Sequence, residues 1–385
     1  MKRTIILGST GSIGRNTLKV ISNFPQQFKV IGLSANSNIR LLSAQIENFS
    51  PEMVAVKDVA NAKRLEKRYR NLTILKGEEG IQKLATTKVD LLVMAISGSS
   101  ALLPLLEALE IQPAVALANK EALVMAGSLI MQKARKFKTR ILPVDSEQSA
   151  IWQCLEGKEK VFLKKIYLTA SGGPLKDIDE KEFKNISLEK VLNHPRWKMG
   201  KKISVDSATL MNKGLELFET IYLFEVDVSK IEVIIHPEAI IHSMVEFIDG
   251  SVLAQLSVTD MRIPIQYALS YPQRFSGFLP PLNFFKIKSL SFYKPDFNKF
   301  PCLELAYEVA RRGGSLPTVL NISNEVAVEA FLKKRISFSH IPWVIEKVIS
   351  LHRNIPSPDL EDILNVQEWA RRKSEETIKK ITKVI

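Results

Sequence analysis

The stretch "TIILGSTGSIG", residues 4–14, carries the strongest signal of fold in this chain. A short apolar run leads into three glycines, Gly8, Gly11 and Gly14, and the segment "RNTLKVISNF" that follows has a helical pattern. Glycines at such a strand–helix junction permit a tight turn and a close approach of the backbone to a pyrophosphate, which then lies at the helix N-terminus. The spacing indicates a dinucleotide-binding turn, although an ordinary glycine-rich turn would have the same spacing.

The segments after this turn repeat the alternation of strand and helix. "FKVIGLSA" has the pattern of the next strand, and "MVAV", "LTIL", "DLLVMAI", "AVALAN" and "TRILPV" continue the series. Strands that alternate with helical segments are typical of a doubly wound parallel sheet. We therefore predict a Rossmann-like α/β domain over residues 1–150.

The end of the second predicted strand bears on which dinucleotide such a domain would bind. Domains that prefer NAD usually carry an Asp or Glu there, which holds the ribose 2′-hydroxyl. Here the sequence is "IGLSANSNIR", without an acid, and Ser37, Asn38 and Arg40 offer hydrogen-bond donors instead. Donors suit a 2′-phosphate, so the sequence favours NADP over NAD.

The rest of the chain has a different texture. Over residues 151–285, "KKIYLTAS", "IEVIIH" and "HSMVEFIDGSVLAQLSV" indicate longer antiparallel strands mixed with helix, which predicts an α+β domain. Residues 286–301 lie in a segment rich in Pro and Phe and are predicted to form a linker. Nearly every segment over residues 302–385 has a helical pattern, which predicts a C-terminal helical domain.

Composition and charge limit the classes of function. The 385 residues contain no apolar stretch long enough to cross a membrane and no secretory signal pattern, so we expect a cytoplasmic protein. The two cysteines, Cys154 and Cys302, are far apart, which argues against a disulfide framework or a zinc cluster. The net charge is +13, but the basic residues are mixed with glutamates along predicted helices. We therefore expect solvated helix faces and no nucleic-acid partner, while the basic surface suits a small anionic substrate.

Two carboxylates stand out in "LPVDSEQSA", residues 142–150. Asp145 and Glu147 follow an apolar run and are spaced i, i+2, so on a strand end they would share one face. Paired carboxylates without histidine or cysteine beside them suit a hard cation such as Mg²⁺ or Mn²⁺. A solvated loop after a buried strand is the alternative that this pattern leaves open.

A second polar cluster lies in "SVDSATLMNKGLELFET", residues 204–220. Asp206 or Ser207 is a suitable N-cap for a helix over this segment. One predicted face is polar and the other apolar, which by itself describes an amphipathic helix with a solvated side. The polar face consists of Thr209, Asn212, Lys213, Glu216 and Thr220. "TASGGP", residues 169–174, resembles an anion-binding nest, whereas His236 and His242 lie in apolar strands and are predicted to be structural.

Several motifs occur together in one order and spacing: "GSTGSIG", "ANKEALV", "LPVDSEQSA", "TASGGP", "NHPRWKMGKKISVDSATLMNKGLE" and "IHSMVEF". With them the chain closely resembles the 1-deoxy-D-xylulose 5-phosphate reductoisomerase family over nearly its whole length. The resemblance implies a three-part architecture, a homodimer, and dependence on NADPH and a divalent cation (Mg²⁺, Mn²⁺ or Co²⁺).

The reaction that the resemblance implies is isomerisation followed by reduction. 1-Deoxy-D-xylulose 5-phosphate, a small phosphorylated sugar, would become 2-C-methyl-D-erythritol 4-phosphate in the non-mevalonate isoprenoid pathway. The cation would polarise the substrate ketone while the carbon skeleton rearranges, and NADPH would then deliver hydride.

The resemblance also implies roles for individual residues. The metal ligands would be Asp145, Glu147 and Glu216. The catalytic residues would be Lys120, Glu147, His194, Trp197 and Met199, of which Trp197 and Met199 match a mobile flap. The substrate contacts would be Lys120, Ser146, Glu147, Ser171, His194, Ser207, Asn212, Lys213 and Glu216. Together with Ser37, identified above, the cofactor contacts would be Thr10, Gly11, Ser12, Ile13, Asn38, Asn119, Glu121 and Gly200.

The chain departs from the family at one position of the carboxylate motif. The family usually has Asp-Ser-Glu-His where this chain has Asp145-Ser146-Glu147-Gln148. Glutamine keeps hydrogen bonding but does not titrate near neutral pH, so we hypothesise that Gln148 only orients Glu147 or the substrate. The alternatives, in falling order, are another NADP-dependent oxidoreductase of the homoserine dehydrogenase kind, a non-catalytic NADPH-binding homologue, and a nucleic-acid binder.

Overall fold

A computed structural model describes residues 1–193 and 200–382 and divides the chain into two compact units. The first unit consists of Met1–Ala122, Ile130–Ser149 and Asp260–Pro281. The second consists of Leu123–Leu129, Ala150–Thr259 and Leu282–Ile385. The boundaries of the four predicted segments (1–150, 151–285, 286–301 and 302–385) stay a prediction.

The first unit is built on a sheet of seven strands. They are β1 (Lys2–Leu7), β2 (Phe28–Ala35), β3 (Met53–Val56), β4 (Thr73–Lys76), β5 (Leu91–Met94), β6 (Ala114–Leu117) and β7 (Arg140–Pro143). Their order in the sheet is β4-β3-β2-β1-β5-β6-β7, and every pairing is parallel. This is the predicted Rossmann-like sheet, and that prediction is confirmed.

A helix follows each of these strands along the chain. These helices are α1 (Ser12–Asn23), α2 (Ile39–Phe49), α3 (Val59–Arg68), α4 (Gly77–Ala85), α5 (Leu102–Ile111), α6 (Lys120–Phe137) and α7 (Ser146–Leu155), of which α6 and α7 contribute residues to both units. The strands read as nearly continuous apolar runs because helices cover the sheet, and Ile5, Ile6 and Leu7 of β1 are completely buried.

A segment from much later in the chain completes the first unit. Helix α11 (Arg262–Ser270) packs against α1, and the Lys2 ammonium donates hydrogen bonds to the carbonyls of Leu269 (2.8 Å) and Tyr271 (2.9 Å). The periodicity of the sequence gives no sign of this return, because a short amphipathic helix does not identify the surface on which it packs.

The second unit contains a sheet of four strands, β8 (Leu163–Ala170), β9 (Ile231–Ile235), β10 (Ile241–Phe247) and β11 (Val252–Leu256), in the order β11-β10-β8-β9. Strand β10 is antiparallel to β8 and to β11, as predicted, but β8 and β9 are parallel. The expectation of antiparallel strands is therefore wrong for the pairing of β8 with β9. A long helical connection between β8 and β9 permits the parallel crossover, and it contains α8 (Leu188–Leu192), α9 (Lys201–Ala208) and α10 (Met211–Phe224).

The C-terminal part is helical, which confirms the prediction. Its helices are α12 (Pro301–Arg312), α13 (Leu316–Leu332), α14 (His340–Ser350) and α15 (Leu360–Thr382). Helix α13 packs against both α14 and α15, so it is buried nearly all round. Among the residues that the structure describes, every helix is too short or too polar to span a bilayer.

His236 follows β9 and is completely buried. Its Nε2 accepts from the amides of Ile240 (3.3 Å) and Ile241 (3.2 Å), while Nδ1 lies 3.0 Å from the carbonyl of Ser291. Two backbone donors on Nε2 place the proton on Nδ1. These bonds fasten the β9–β10 turn, in agreement with the structural role predicted for this histidine.

Candidate functional site

The glycine-rich turn joins β1 to α1 in the first unit. Gly8 has a φ of +84°, and a Cβ on Gly14 would lie 2.4 Å from the carbonyl oxygen of Gly8, so both positions require glycine. Gly11 is the N-cap of α1 and offers no side-chain cap to the first helical amides. Those amides and the helix dipole favour an anion. The turn therefore has the geometry that the sequence predicts for a pyrophosphate site.

The loop after β2 supplies a second polar surface of the first unit. Ser37, Asn38 and Arg40 are exposed, and the segment between β2 and α2 contains no acidic residue. Asn38 is the N-cap of α2, and its side-chain oxygen accepts from the amide of Leu41 at 3.1 Å. The loop thus presents donors and a basic side chain where a ribose phosphate would add negative charge.

Asn119 fixes the start of α6, after β6. Its side-chain oxygen accepts from the amide of Ala122 at 2.8 Å, and its nitrogen donates to the carbonyls of Ile96 (2.9 Å) and Gly98 (3.0 Å). The same nitrogen lies 3.2 Å from the carboxylate of Glu121. This amide therefore joins the loop after β5 to the helix start that carries Glu121 and Lys120.

The strand-end carboxylates differ from the sequence-based expectation in one respect. Helix α7 begins at Ser146, so Glu147 lies in its first turn and does not share a strand face with Asp145. The Asp145 carboxylate accepts from the Ser146 amide at 3.0 Å, and the Asp145 carbonyl accepts from the Ser149 amide at 2.8 Å. These bonds start the helix one residue after Asp145, and carboxylate oxygens of Asp145 and Glu147 still lie within 4.8 Å of each other.

Two neighbouring side chains complete this cluster. The Lys120 ammonium lies 2.5 Å from Oδ2 of Asp145, and the Ser146 hydroxyl donates to Glu147 at 2.7 Å. Lys120 is only 6 % exposed, and the nearby Asp145 carboxylate offsets the cost of burying its ammonium group. Among the residues that the structure describes, the cluster offers carboxylate and hydroxyl oxygens as metal ligands and no histidine or cysteine, and oxygen ligands are those that Mg²⁺ and Mn²⁺ prefer.

The second unit carries the other polar cluster, on α9, α10 and the loop after β8. Helix α9 begins after Gly200 and ends at Ala208, so Asp206 and Ser207 lie in its last turn. The prediction that one of them is an N-cap is wrong, because the chain forms two helices here. Leu210, with a φ of +58°, separates them and precedes α10.

The polar face of α10 is buried, contrary to the solvated face that its sequence pattern describes. Lys213, Glu216 and Thr220 are all buried, and Lys213 forms an ion pair with Glu216. The amide nitrogen of Asn212 donates to the other Glu216 oxygen at 2.5 Å. A buried ion pair costs desolvation energy that an apolar pair would not, so its presence is typical of a functional site.

The loop after β8 approaches the end of α9 closely. Gly172 and Gly173 both have positive φ, and a Cβ on Gly173 would lie 2.5 Å from the carbonyl oxygen of Ser207. Only glycine permits this approach, which brings the Ser171 loop against the segment that carries Ser207. Ser171, Ser207 and Asn212 are partly exposed and are therefore accessible to a ligand.

The predicted site residues thus fall into three groups. Thr10, Gly11, Ser12, Ile13, Ser37, Asn38, Asn119, Lys120, Glu121, Asp145, Ser146 and Glu147 belong to the first unit. Gly200, Ser171, Ser207, Asn212, Lys213 and Glu216 belong to the second. His194, Trp197 and Met199 lie outside the described residues.

Sequence reasoning missed a buried polar group beside Ser207. The Asp206 carboxylate accepts from the side-chain amide of Asn324 at 2.8 Å and pairs with Lys202, also at 2.8 Å. Asp206 and Asn324 are almost completely buried. The signal in the sequence is "LNISNEV", residues 320–326, where polar residues interrupt a helix that is otherwise apolar.

Three family models match separate parts of the chain. Residues 4–127 match the model for 1-deoxy-D-xylulose 5-phosphate reductoisomerase, and residues 141–224 match the model for its C-terminal domain. Residues 256–373 match a model described as the DXP reductoisomerase C-terminal domain.

Curated relatives are similar along the whole chain. The 1-deoxy-D-xylulose 5-phosphate reductoisomerase of Thermodesulfovibrio yellowstonii is 48% identical over 379 residues, which cover 98% of this chain and 100% of the relative. The enzyme of the same name from a Thermoanaerobacter species is 49% identical over 377 residues, with 97% and 98% covered.

Solved structures agree. A DOX-P reductoisomerase in complex with NADPH, fosmidomycin and magnesium superposes with a TM-score of 0.93 at 38% identity, covering 99% of both chains. The Zymomonas mobilis 1-deoxy-D-xylulose 5-phosphate reductoisomerase in complex with NADPH has a TM-score of 0.91 at 36% identity, with 98% of this chain and 99% of the other covered.

The parallel sheet, its glycine-rich turn and the strand-end carboxylates define an oxidoreductase of the Rossmann type. Within that class, the chain belongs to the 1-deoxy-D-xylulose 5-phosphate reductoisomerase family. The resemblance stated from the sequence motifs is confirmed.

Proposed function

We propose that this chain catalyses the NADPH- and divalent-cation-dependent isomerisation and reduction of 1-deoxy-D-xylulose 5-phosphate to 2-C-methyl-D-erythritol 4-phosphate, in the non-mevalonate isoprenoid pathway. The observation that carries the proposal is the 48% identity to a reductoisomerase over 98% of the chain. The glycine turn and the oxygen-only carboxylate cluster support it, since each fits one of the two cofactors. The non-catalytic homologue and the other oxidoreductases are not favoured, because no observation supports them.

The proposed metal ligands are Asp145 and Glu147 of the first unit and Glu216 of the second. Their support is the oxygen donor set and the resemblance of both motifs to the family. When bound, a divalent cation supplies Lewis acidity that polarises a substrate carbonyl. Lys120, next to Asp145, is proposed to place positive charge at the reacting end of the substrate and to move a proton there, with Ser146 as a further contact.

The proposed phosphate contacts are Ser171, Ser207, Asn212 and Lys213. Hydroxyl, amide and ammonium groups donate to phosphate oxygens, and Asn212 and Lys213 stand in the first turn of α10, where the helix dipole favours an anion. Binding energy at the phosphate can orient the reacting end of the substrate.

The roles of His194, Trp197 and Met199 stay proposals by resemblance alone. His194 would contact the substrate, and Trp197 and Met199 would belong to a flap that excludes water over the site.

The proposed cofactor contacts are the residues that the family resemblance implies together with Ser37. They are Thr10, Gly11, Ser12, Ile13, Ser37, Asn38, Asn119, Glu121 and Gly200. The turn with its uncapped helix start supports a pyrophosphate at Gly11–Ile13. The exposed donors after β2 support NADPH over NADH.

A homodimer in the cytoplasm is also proposed. Strand β11 is an edge strand of the four-stranded sheet, and its Val252 and Leu253 are 47% and 41% exposed. An exposed apolar edge strand is a site for pairing with another chain, and a second copy of this chain would cover it. The cytoplasm is proposed because a biosynthetic enzyme meets NADPH and a sugar phosphate there.

Loss of one proposed ligand tests the metal site. We expect Glu216→Gln to lower kcat/KM by about 100-fold or more, since a carboxylate ligand contributes several kcal/mol through the cation. Oxidation of NADPH with the sugar phosphate, followed by absorbance across a Mg²⁺ or Mn²⁺ titration, measures the effect. Glu225→Gln is the control, because Glu225 follows the same helix but is exposed and pairs with Lys160. Equal metal-dependent rates in both variants would refute the assignment of Glu216.

The nucleotide preference is tested at Asn38. We expect Asn38→Asp to lower the ratio of kcat/KM for NADPH to that for NADH by at least about tenfold, because a carboxylate repels the 2′-phosphate. Aspartate is as good an N-cap as asparagine, so α2 keeps its start. Asn38→Ser, a neutral cap, is the matched control and should change the ratio little. An unchanged ratio in the aspartate variant would show that the 2′-phosphate binds elsewhere.

The position that departs from the family is tested by Gln148→His. Gln148 is completely buried beside Glu147 on α7, which suits a residue that orients its neighbours. We expect kcat to change by less than about tenfold, without a new inflection near neutral pH. Profiles of kcat against pH for the wild type and the variant measure this. A rise of orders of magnitude with a titration near pH 7 would show that the reaction needs a proton carrier at this position.

The proposed dimer is tested on β11. We expect Leu253→Lys to shift the chain from dimer to monomer, because the buried charge would lack a partner at the interface. Light scattering over a concentration series measures the mass. Val59→Lys on α3 is the control, since Val59 is 45% exposed but lies in the other unit. A wild type that is monomeric at all concentrations would overturn the proposal.

A further inference from the structure

The inner side of the glycine turn is held by a side-chain amide. Gln45, on α2, is 5% exposed, and its nitrogen donates to the carbonyl of Ser9 at 2.9 Å. Its side-chain oxygen accepts from the Ser9 hydroxyl at 2.7 Å. Gln45 therefore forms hydrogen bonds with both the carbonyl and the hydroxyl of Ser9. Ser9 is completely buried, so water cannot replace Gln45 as a partner of these two groups.

Strand β2 holds the same turn from its other end. The Ser34 hydroxyl accepts from the amide of Gly8 at 2.8 Å, and the Ser34 carbonyl accepts from the amide of Ser9 at 2.8 Å. Ser34 and Ser9 are both almost completely buried. The turn is thus attached to its neighbours through Ser9 and Gly8, with Gln45 as the side-chain partner that comes from outside β1 and β2.

The residues that follow Ser9 face outward. Thr10 and Ile13 are partly exposed, and Gly11 and Ser12 are exposed. One inward residue is anchored, while the next four are accessible to a ligand, although the Gly11 amide already donates to the Gly8 carbonyl at 3.0 Å. The position of these four groups depends on where the anchor holds Ser9.

Gln45 also stands on the helix that Asn38 caps. The helix is a rigid connection, and Gln45 lies two turns from its start, on the same side as the N-cap by the helical repeat. The start of α2 therefore follows the loop that is proposed to contact the 2′-phosphate. The middle of α2, at Gln45, forms hydrogen bonds with the turn that is proposed to contact the pyrophosphate.

We propose that Gln45 is a positioning residue for the cofactor. It fixes the distance and orientation of the glycine turn relative to the loop after β2, so that one dinucleotide can contact both. The proposal rests on the proposed function, since it concerns NADPH at that site. Without the amide, the Ser9 carbonyl would be buried without its side-chain donor, and the Ser9 hydroxyl would keep only the Ser34 carbonyl at 3.0 Å. The turn would then shift to recover hydrogen bonds. A neutral amide performs this task without placing negative charge behind a phosphate site.

The chain contains a matched control for a test of this role. Gln112 is 2% exposed and, like Gln45, satisfies backbone groups of the first unit with its amide. Its nitrogen donates to the carbonyls of Ala85 and Thr87, both at 2.8 Å, and its oxygen accepts from Val89 at 3.1 Å. These partners lie outside the glycine turn, so Gln45→Leu and Gln112→Leu remove the same kind of group at different places.

The experiment measures the Kd of NADPH by fluorescence titration of the full-length protein, beside the melting temperature of each variant. We expect Gln45→Leu to raise the Kd about 5- to 30-fold, as the loss of a buried hydrogen-bonded anchor would give. Gln112→Leu should lower the melting temperature as well but keep the Kd within about twofold of the wild type, because it is remote from the turn. At saturating NADPH, kcat of Gln45→Leu should stay near that of the wild type, while KM for NADPH rises.

Equal Kd values for the two leucine variants would overturn the positioning role, since both would then act through general stability alone. If Gln45→Leu does not fold, Gln45→Met decides, because methionine keeps the length of the side chain and removes both bonds to Ser9, while the bonds between Ser9 and Ser34 stay in place. A raised Kd in Gln45→Met supports the proposal, and an unchanged Kd refutes it. A wild type that does not bind NADPH would instead refute the proposed function, which keeps the two failures distinct.

Discussion

The parallel pairing of β1 with β2 on one side and β5 on the other is the constraint on which the candidate cofactor site depends. Parallel strands end at the same edge of a sheet, so the loops after β1, β2, β5, β6 and β7 all emerge there. The strand order reverses direction at β1, which opens a crevice between neighbouring loops. The glycine turn, the donors after β2, Asn119 and the carboxylates after β7 follow from that arrangement. A change that disturbed β1 would therefore displace every one of these groups.

Each of the two units contains a buried ion pair between a lysine and a carboxylate. Lys120 pairs with Asp145 in the first unit, and Lys213 pairs with Glu216 in the second. Such pairs are often less stabilising than apolar residues of the same size, because both ions lose hydration. Their presence is explained if the charges serve binding. A lysine that is already desolvated and held in place by a carboxylate can bind an anionic substrate with little reorganisation. The carboxylate can likewise bind a cation with little reorganisation.

Much of this arrangement could be predicted from the sequence, because strand–helix alternation and spaced glycines depend on local chemistry. The family motifs extended the prediction to the carboxylates and to the polar face of α10. Three features could not be obtained in this way. Glu147 lies on a helix because the Asp145 carboxylate caps the next residue, which an i, i+2 spacing does not reveal. Leu210 breaks the segment into two helices through a left-handed backbone conformation that no sequence rule assigns to leucine. The parallel β9 depends on a long connection whose path is set by tertiary packing.

Side-chain amides connect the loops of the candidate cofactor site, and their chemistry explains why. Gln45 holds Ser9, Asn38 starts α2, and Asn119 joins the loop after β5 to α6. Each loop has backbone donors and acceptors that need partners, and an amide can satisfy both kinds with one side chain. A carboxylate in place of Gln45 or Asn119 would leave carbonyls without donors, and at any of the three positions it would repel phosphates. An ammonium would leave hydroxyl and amide donors without acceptors. Neutral amides therefore fix the backbone and leave the positive field of the helix starts and lysines for the ligand. The same reasoning applies to Gln148: beside carboxylates that are proposed to hold a cation, a neutral amide can fix their orientation without competing for the charge.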